Sequence, residues 1–559
     1  MVLQSRPASA SLWGVVSLQS LPLQVFMDGA LSPHELLHQT ERGGHVEWRL
    51  RLAPQEPGGP HIIEVVAGEE RIALRDVLFG DVFLCSGQSN MQMSVVDAMP
   101  EDIHGYSWDF PRIRILTTDP FPFSSKTSSQ QHKLPLLHSW RLVTAENVFG
   151  PSCGATGWRD CYFSSVCLFF GMRYHNVSGH PVGLIASATA GTPIEYFMPR
   201  QELESCNKSE IQGHHPMNVF HPHGFGPIQG DGVLFANVIS ALSPMSVRAF
   251  LWYQGESNAN DPEGYRCLFP GLIRGWRRVF SDDGASIPFL SVGLAADVNF
   301  AGLLPEIRQA QTFATKMENV FVVPAYDLGD VESPLGPIHP RRKKEVGLRL
   351  ARVAIGVFHG SLDSAVAPEV TSITVSVWNS SAMRSLKVGT ISRYYSRWVL
   401  EEQTPDSVIW LVNVSTRAHD GRMVSLDAAS CWDCCRESGV FHLFGKYAGD
   451  ADSAPDASQS ESVFTTLAEG QGWYAAASSL PSDWETYEIR YGWEDYPQCI
   501  IYREADRLPL NPFRFRISAT ANKQDQEPEA LADFVSKPLH VVSWSSTLSR
   551  GQSLEKISV

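Results

Sequence analysis

The 559-residue sequence predicts an α/β protein, a parallel-sheet domain flanked by N-terminal and C-terminal β-rich modules. Three observations lead there. Between about 79 and 365, five continuous apolar runs are separated or followed by amphipathic stretches of helical period. On both sides of that region, apolar and polar residues alternate over short segments broken by Pro and Gly. The length also exceeds what one hydrophobic core normally serves.

Taken in order, residues 1–78 carry "ASLWGVVSL", "HVEWRLRLA", "HIIEVVAGE" and "RIALRDVLFG", the alternation of a small β-sandwich. Residues 79–365 hold the runs "DVFLCSG", "PVGLIAS", "VRAFLWYQG", "IPFLSVGLA" and "NVFVVPAYDLG". Amphipathic segments such as "GVLFANVISALS", "LFPGLIRGWRRVF" and "RKKEVGLRLARVAIGVF" supply helices to cover both sheet faces. Residues 366–517 return to alternation in "EVTSITVSVWN", "SVIWLVNVS", "YEIRYGWE" and "CIIYRE", and are expected to form a second β-rich domain. "GDADSAPDASQSESV" reads as a solvated loop, and the polar, aperiodic stretch 518–559 as a disordered tail.

Composition narrows the function. A net charge of −15 disfavours nucleic acid, whose phosphates would repel such a surface. No apolar run is long enough for a membrane span. Ten cysteines, with Cys431, Cys434 and Cys435 clustered, favour a disulfide framework in an oxidising compartment over a metal site. Asn176, Asn207, Asn379 and Asn413 sit in glycosylation sequons. The opening "MVLQSRPASASLWGVVSLQ" alternates like a strand and is no signal peptide, so either the chain is cytosolic or its true N-terminus lies upstream. His214, His215, His221 and His223 cluster without an HExxH pattern, so no metal is expected.

Ligands of an open α/β sheet bind beyond the carboxyl ends of its strands. The first run leads into Gly87-Gln88-Ser89-Asn90, the second into Gly191 in "ATAGTPIE". The third leads into Gln254-Gly255-Glu256-Ser257-Asn258, and the fifth into Asp327, Asp330 and "SPLGPIHP" with His339. That ordered set meets the demands of ester cleavage. A serine hydroxyl needs a base to take its proton, and imidazole titrates near neutrality. An acid behind the histidine fixes its tautomer. Backbone N–H groups of Ser89 and Gly191, with the Asn258 amide, would cradle the oxyanion. Glu256 is read as a buried polar support for its turn, not as the base.

"DVLFGDVFLCSGQSNMQMSV", "GLIASATAGTPIE", "WYQGESNAN" and "SPLGPIHPR" resemble the sialate O-acetylesterase family, a branch of the SGNH hydrolases. "MVLQSRPASASLWG" and "YGWEDYPQC" resemble it too, so the likeness extends to about Ile517. It implies an SGNH-like fold, Ser89 as nucleophile, His339 as base, and Gly191 and Asn258 as oxyanion donors. It implies removal of acetyl groups, typically at the 9-position, from O-acetylated sialic acid or sialoglycan, with no cofactor. It also implies a lysosomal or secreted glycoprotein if a signal peptide lies upstream, and a cytosolic form otherwise.

The sequence departs from that family at three places. Thr189-Ala190-Gly191 stands where a Trp-Gly-Gly run is usual. Gly336 occupies the position, three before the histidine, where many SGNH enzymes carry Asp. Asp330 is therefore the expected orienting acid, followed by Asp327 and Glu332, with a backbone carbonyl as the remaining option. The chain also begins where the family's first strand is already under way, as a missing upstream segment would leave it. Two other functions fit the same blocks: an acetylxylan-type esterase, and a non-catalytic glycan-binding relative in which the altered "ATAG" turn has spoiled the oxyanion hole.

Overall fold

A computed structural model describes residues 1–98 (except 19–21 and 43), 107–119, 134–149, 163–206, 231–281 and 286–360. Beyond 360 it describes separate segments, among them 369–379, 407–417, 473–481, 484–497 and 507–518. Contacts divide the chain into two compact units, Met1–Gly360 and Ser361–Val559.

The first unit opens with the expected sandwich. Strands β1 (Val2–Gln4), β2 (Ser11–Ser17), β3 (Leu23–Met27), β4 (Ala30–Leu31), β5 (His34–Arg42), β6 (His45–Leu52), β7 (Gly58–Ala67) and β8 (Glu70–Gly87) build it. One sheet has the order β2-β6-β5, and in the other β7 pairs with β3 and β8. In β6 the alternation in HVEWRLRL turns Val46, Trp48, Leu50 and Leu52 inward, where they meet Val25, Ile63, Val65, Val77 and Phe79. This module is no separate unit, however. Strand β8 runs unbroken from its edge into the central sheet, so the expected boundary at 78/79 falls inside one strand. The second half of β8, from Val77 onward, is wholly buried, as a strand covered on both faces must be.

The central sheet adds β9 (Phe110–Thr118), β10 (Leu136–Val143), β11 (Val182–Ala188), β12 (Ala249–Tyr253), β13 (Phe289–Gly293) and β14 (Val320–Pro324). Its order is β10-β9-β11-β8-β12-β13-β14, parallel except for the β10 edge. The five apolar runs are β8, β11, β12, β13 and β14. Strand β9 was not anticipated. Because β8 lies between two later strands, the sheet reverses direction of growth there, and such a switch point opens a crevice at the carboxyl end.

Opposite faces of the sheet are covered by different helices. Phe83 receives Phe170 and Tyr174 of helix Ser165–Ser178, with ring centroids 4.8 and 4.9 Å away. Phe250, in register with Leu84 and hence on the other face, receives Trp276 of helix Pro262–Phe280 at 5.4 Å. That helix starts six residues before its expected run because Asp261 caps it, its carboxylate accepting from Gly264 N at 2.9 Å, and Pro262 suits the first turn. Disulfide Cys85–Cys167 staples β8 to helix Ser165–Ser178, and Cys206–Cys267 joins helix Arg200–Ser205 to helix Pro262–Phe280. The cluster Cys431, Cys434 and Cys435 lies outside the described residues.

The second unit is β-rich, as expected. Glu369–Asn379, Ser407–Arg417 and Trp473–Pro481 form an antiparallel three-stranded sheet. A five-stranded sheet has the order Glu461–Val463, Phe441–Tyr447, Trp484–Tyr491, Phe513–Ser518, Leu539–His540. Most of the acidic loop and of the tail lies outside the described residues, although Leu539–His540 pairs with Ile517–Ser518. Among the described residues no helix is long and apolar enough to cross a membrane.

Candidate active site

Strand β8 ends on Gly87, whose φ of +138° and position demand glycine: a Cβ there would stand 2.1 Å from the Tyr253 carbonyl oxygen. The close approach lets β8 and β12 end side by side. Gln88 N donates to Tyr253 O at 3.0 Å, and Gln88 Oε1 accepts from Ser257 N at 3.2 Å. Ser89 then opens the one-turn helix Ser89–Gln92 and is 4% exposed.

After β14 the chain descends through linked turns. Ser333 N donates to Asp330 O, Gly336 N to Ser333 O, and His339 N to Gly336 O, at 3.2, 2.9 and 2.9 Å. Ser333 Oγ closes the loop on His339 O at 2.6 Å. This places His339 Nε2 2.9 Å from Ser89 Oγ, and Nδ1 2.9 Å from the Leu335 carbonyl oxygen. A carbonyl can only accept, so Nδ1 carries the proton and Nε2 presents its lone pair to the serine hydroxyl. Desolvation pushes the His339 pKa below its ordinary 6.5 and the Lys343 charge pushes the same way, while the Leu335 hydrogen bond opposes them.

The expected acid is elsewhere. Asp330 clamps Arg341, accepting from Nε at 2.6 Å, Nη2 at 3.0 Å and the backbone N at 3.2 Å. That contact braces the two ends of the loop and holds the Asp330 carboxyl below its usual range. Asp327 pairs with Arg349 at 2.6 Å, and Glu332 is exposed. The partner at Nδ1 is therefore the backbone carbonyl of Leu335, the option of last resort in the sequence, and Asp330 is corrected to a loop brace.

The segments carrying Gly191 and Asn258 are tied to the end of β8, through Thr189 to Gly87 and through Ser257 to Gln88. Thr189 N donates to Gly87 O at 3.0 Å, and Thr192 Oγ1 to Thr189 O at 2.6 Å, which folds the turn beyond β11 back beside the Ser89 segment. Gly191 takes φ +66° in that turn. Asn258 is 3% exposed; its Oδ1 accepts from Gln254 Nε2 at 2.7 Å and Ile194 N at 2.9 Å, and its Nδ2 donates to Glu195 Oε2 at 2.9 Å. One amide hydrogen is thereby used and one remains. Glu256 accepts from Asn90 Nδ2, and burial pushes its carboxyl upward, as suits a support rather than a base. The bracing roles of Gln88, Gln254 and Glu195 have no residue-level signal beyond their presence in the quoted blocks.

Among the described residues, Asp81, His180 and His359 are close enough to share an ion. They lie at the other end of the sheet: His180 is hydrogen-bonded directly to Asp81, Tyr174 links Asp81 to His359, and Arg248 stands on the same carboxylate. The four-histidine cluster lies outside the described residues. Of the sequons, Asn176 is exposed near the end of helix Ser165–Ser178, Asn379 and Asn413 lie in strands, and Asn207 is outside the described residues.

Comparisons with known proteins bear on the family and the fold. Residues 79–355 match the family model described as carbohydrate esterase, sialic acid-specific acetylesterase. The sialate O-acetylesterases of Homo sapiens and Pongo abelii are each 33% identical to the chain, over 64% of it and 69% of their own length. A crystal structure of a carbohydrate acetylesterase from Xanthomonas citri superposes with a TM-score of 0.64 at 23% identity, covering 92% of this chain and 96% of that one, and so shares its fold. A serine-bearing turn, a histidine loop and a parallel sheet that this family model spans thus converge on one conclusion: the chain belongs to the sialate O-acetylesterase family of carboxylic ester hydrolases.

Proposed function

We propose that the chain is a serine sialate O-acetylesterase, acting foremost on the 9-O-acetyl group of sialic acids through an acyl-enzyme at Ser89. The observation that carries this is the 2.9 Å contact between Ser89 Oγ and His339 Nε2, with Nδ1 held by Leu335 O. Ser89 passes its proton to Nε2 as Oγ bonds to the acetyl carbon, and the carbonyl electron pair moves onto oxygen. The N–H groups of Ser89 and Gly191 and the remaining Asn258 amide hydrogen are the donors for that oxyanion, each worth about 10²–10³ in rate. The ester C–O bond then breaks, and the proton on Nε2 goes to the departing sugar oxygen. Water, deprotonated by His339, attacks the acyl-enzyme; acetate leaves and Ser89 regains its proton. The Leu335 dipole supports the transient imidazolium where a carboxylate would otherwise do so. The Homo sapiens and Pongo abelii proteins it resembles are sialate O-acetylesterases, which supports a sialoglycan substrate. Two disulfides and an exposed Asn176 support a lysosomal or secreted setting.

The test is acetate release from 9-O-acetylated sialic acid by the native chain and by Ser89→Ala. Loss in the variant with the fold retained supports the proposal. Undiminished release refutes the nucleophile. Preference for acetylated xylan would reassign the substrate, and failure of the native chain to react with a fluorophosphonate would mark a glycan-binding relative.

A further inference from the structure

Beneath the Ser89–His339 pair lies a lysine that the hydrolytic steps do not use. Lys343 opens the helix Lys343–His359 and is 0% exposed. Its ammonium donates to Asn90 Oδ1 at 2.7 Å and to the Pro340 carbonyl at 2.6 Å. Asn90 in turn donates through Nδ2 to the Ile338 carbonyl at 2.9 Å and to Glu256 Oε1. Asn90 directly follows the serine, and Ile338 and Pro340 directly flank the histidine. Two side chains thus hold both carbonyls that bracket His339 and tie them to the residue beside Ser89, across a sequence separation of 250 residues. Burying an ammonium costs several kcal/mol unless it is paired and hydrogen-bonded. The fold meets that cost here with the two acceptors and the Tyr253 ring, 5.5 Å from Nζ.

We propose that Lys343, acting through Asn90 and the Ile338 and Pro340 carbonyls, is a positioning residue that sets the separation between Ser89 and His339. The proposal rests on the roles given to Ser89 and His339 above. A backbone carbonyl at Nδ1 orients the imidazole within its own loop, since Leu335 and His339 travel together. Nothing in that contact fixes the loop relative to the serine; the Lys343–Asn90 link does. The charge has a second effect. Burial pushes the ammonium down to about 7, the Glu256 and Asp330 carboxylates hold it up, and its positive charge adds a smaller downward push to the burial that already lowers His339.

The experiment uses the full chain with an aryl acetate, comparing Lys343→Met, Asn90→Ala and the double variant after circular dichroism has confirmed folding. The expected result for Lys343→Met is a kcat lower by about 10²-fold with KM within about twofold, the signature of misplaced reacting groups. The acid limb of kcat/KM should move to higher pH, because removing the neighbouring charge lets His339 protonate more readily. The double variant should lose about as much as the worse single one, since both sever one link. A folded Lys343→Met with native kcat and pH profile overturns the proposal, as do losses that multiply. Should Lys343→Met fail to fold, Asn90→Ala decides: native kcat overturns the clamp, and a kcat loss at unchanged KM upholds it. If Ser89→Ala retains full activity, the underlying nucleophile assignment fails instead, which is a separate outcome.

Discussion

The two ends of the central sheet each bring a histidine to a hydroxyl, and the one that also holds a carboxylate is not the one at the carboxyl ends of the strands. At the amino end, Asp81 Oδ2 lies 2.8 Å from His180 Nδ1 and accepts from the Tyr174 hydroxyl at 3.0 Å, while Tyr174 lies 2.8 Å from His359 Nε2. Arg248 Nε approaches the same carboxylate at 3.4 Å. At the carboxyl end no carboxylate is needed: Ser89 meets His339, and a main-chain oxygen holds Nδ1. A carboxylate beside a histidine is therefore no sufficient mark of catalysis. At the amino end, desolvation and the Asp81 charge raise the Tyr174 hydroxyl above its ordinary range, and Asp81 is shared among several partners. What distinguishes the carboxyl end is a small serine hydroxyl facing an imidazole lone pair at the switch point of the sheet, the arrangement on which the proposed mechanism rests.

Substitutions can break that contrast. The largest effect is expected from Ser89→Ala, which should lower kcat for an aryl acetate by at least about 10⁴-fold, whereas Tyr174→Phe should leave it within about twofold. Removing Cys85–Cys167 by paired Cys→Ala changes, which reopens a staple across 82 residues, should cost about 2–5 kcal/mol in denaturant unfolding. Asp330→Asn sharpens the comparison further. As a loop brace on Arg341 its loss should lower kcat by about tenfold or less; as an orienting acid it would cost about 10⁴-fold. Tyr174→Phe should register only in stability, by about 1–3 kcal/mol, because it strips a hydrogen bond from buried Asp81.

The pH profile follows from the same base. In the proposed mechanism His339 acts only when neutral, and burial holds its pKa below the ordinary 6.5. Activity should persist as pH falls through 6.5 and be lost only once the lower folded-state value is passed. A rate that already halves above pH 6.5 would contradict the assigned environment.

Much of this was legible in the residues. Continuous apolar runs marked β8, β11, β12, β13 and β14 because strands buried on both faces have no polar side to show. Gly87, Ser89, Gly191, Asn258 and His339 followed from asking what stands beyond each run. Strand β9 was hidden because FPRIRILTT carries a proline and two arginines in its first five residues, and its buried Arg114 is satisfied by the distant Asp76, 3.0 Å away, and by the Pro111 carbonyl. The partner of His339 stood only as the last option in the sequence, with no residue attached, since a backbone carbonyl belongs to every residue and carries no letter. Lys343 was concealed differently: in "RKKEVGLRL" it looks like one more solvated charge at a helix start, and only the fold turns it inward.

The most direct test is to react the native chain with a fluorophosphonate and map the adduct by peptide mass. It should fall on Ser89 alone, slow as His339 becomes protonated, vanish in His339→Ala and be unaltered in Tyr174→Phe. An adduct on another residue, or none from a chain that still releases acetate, would contradict the account.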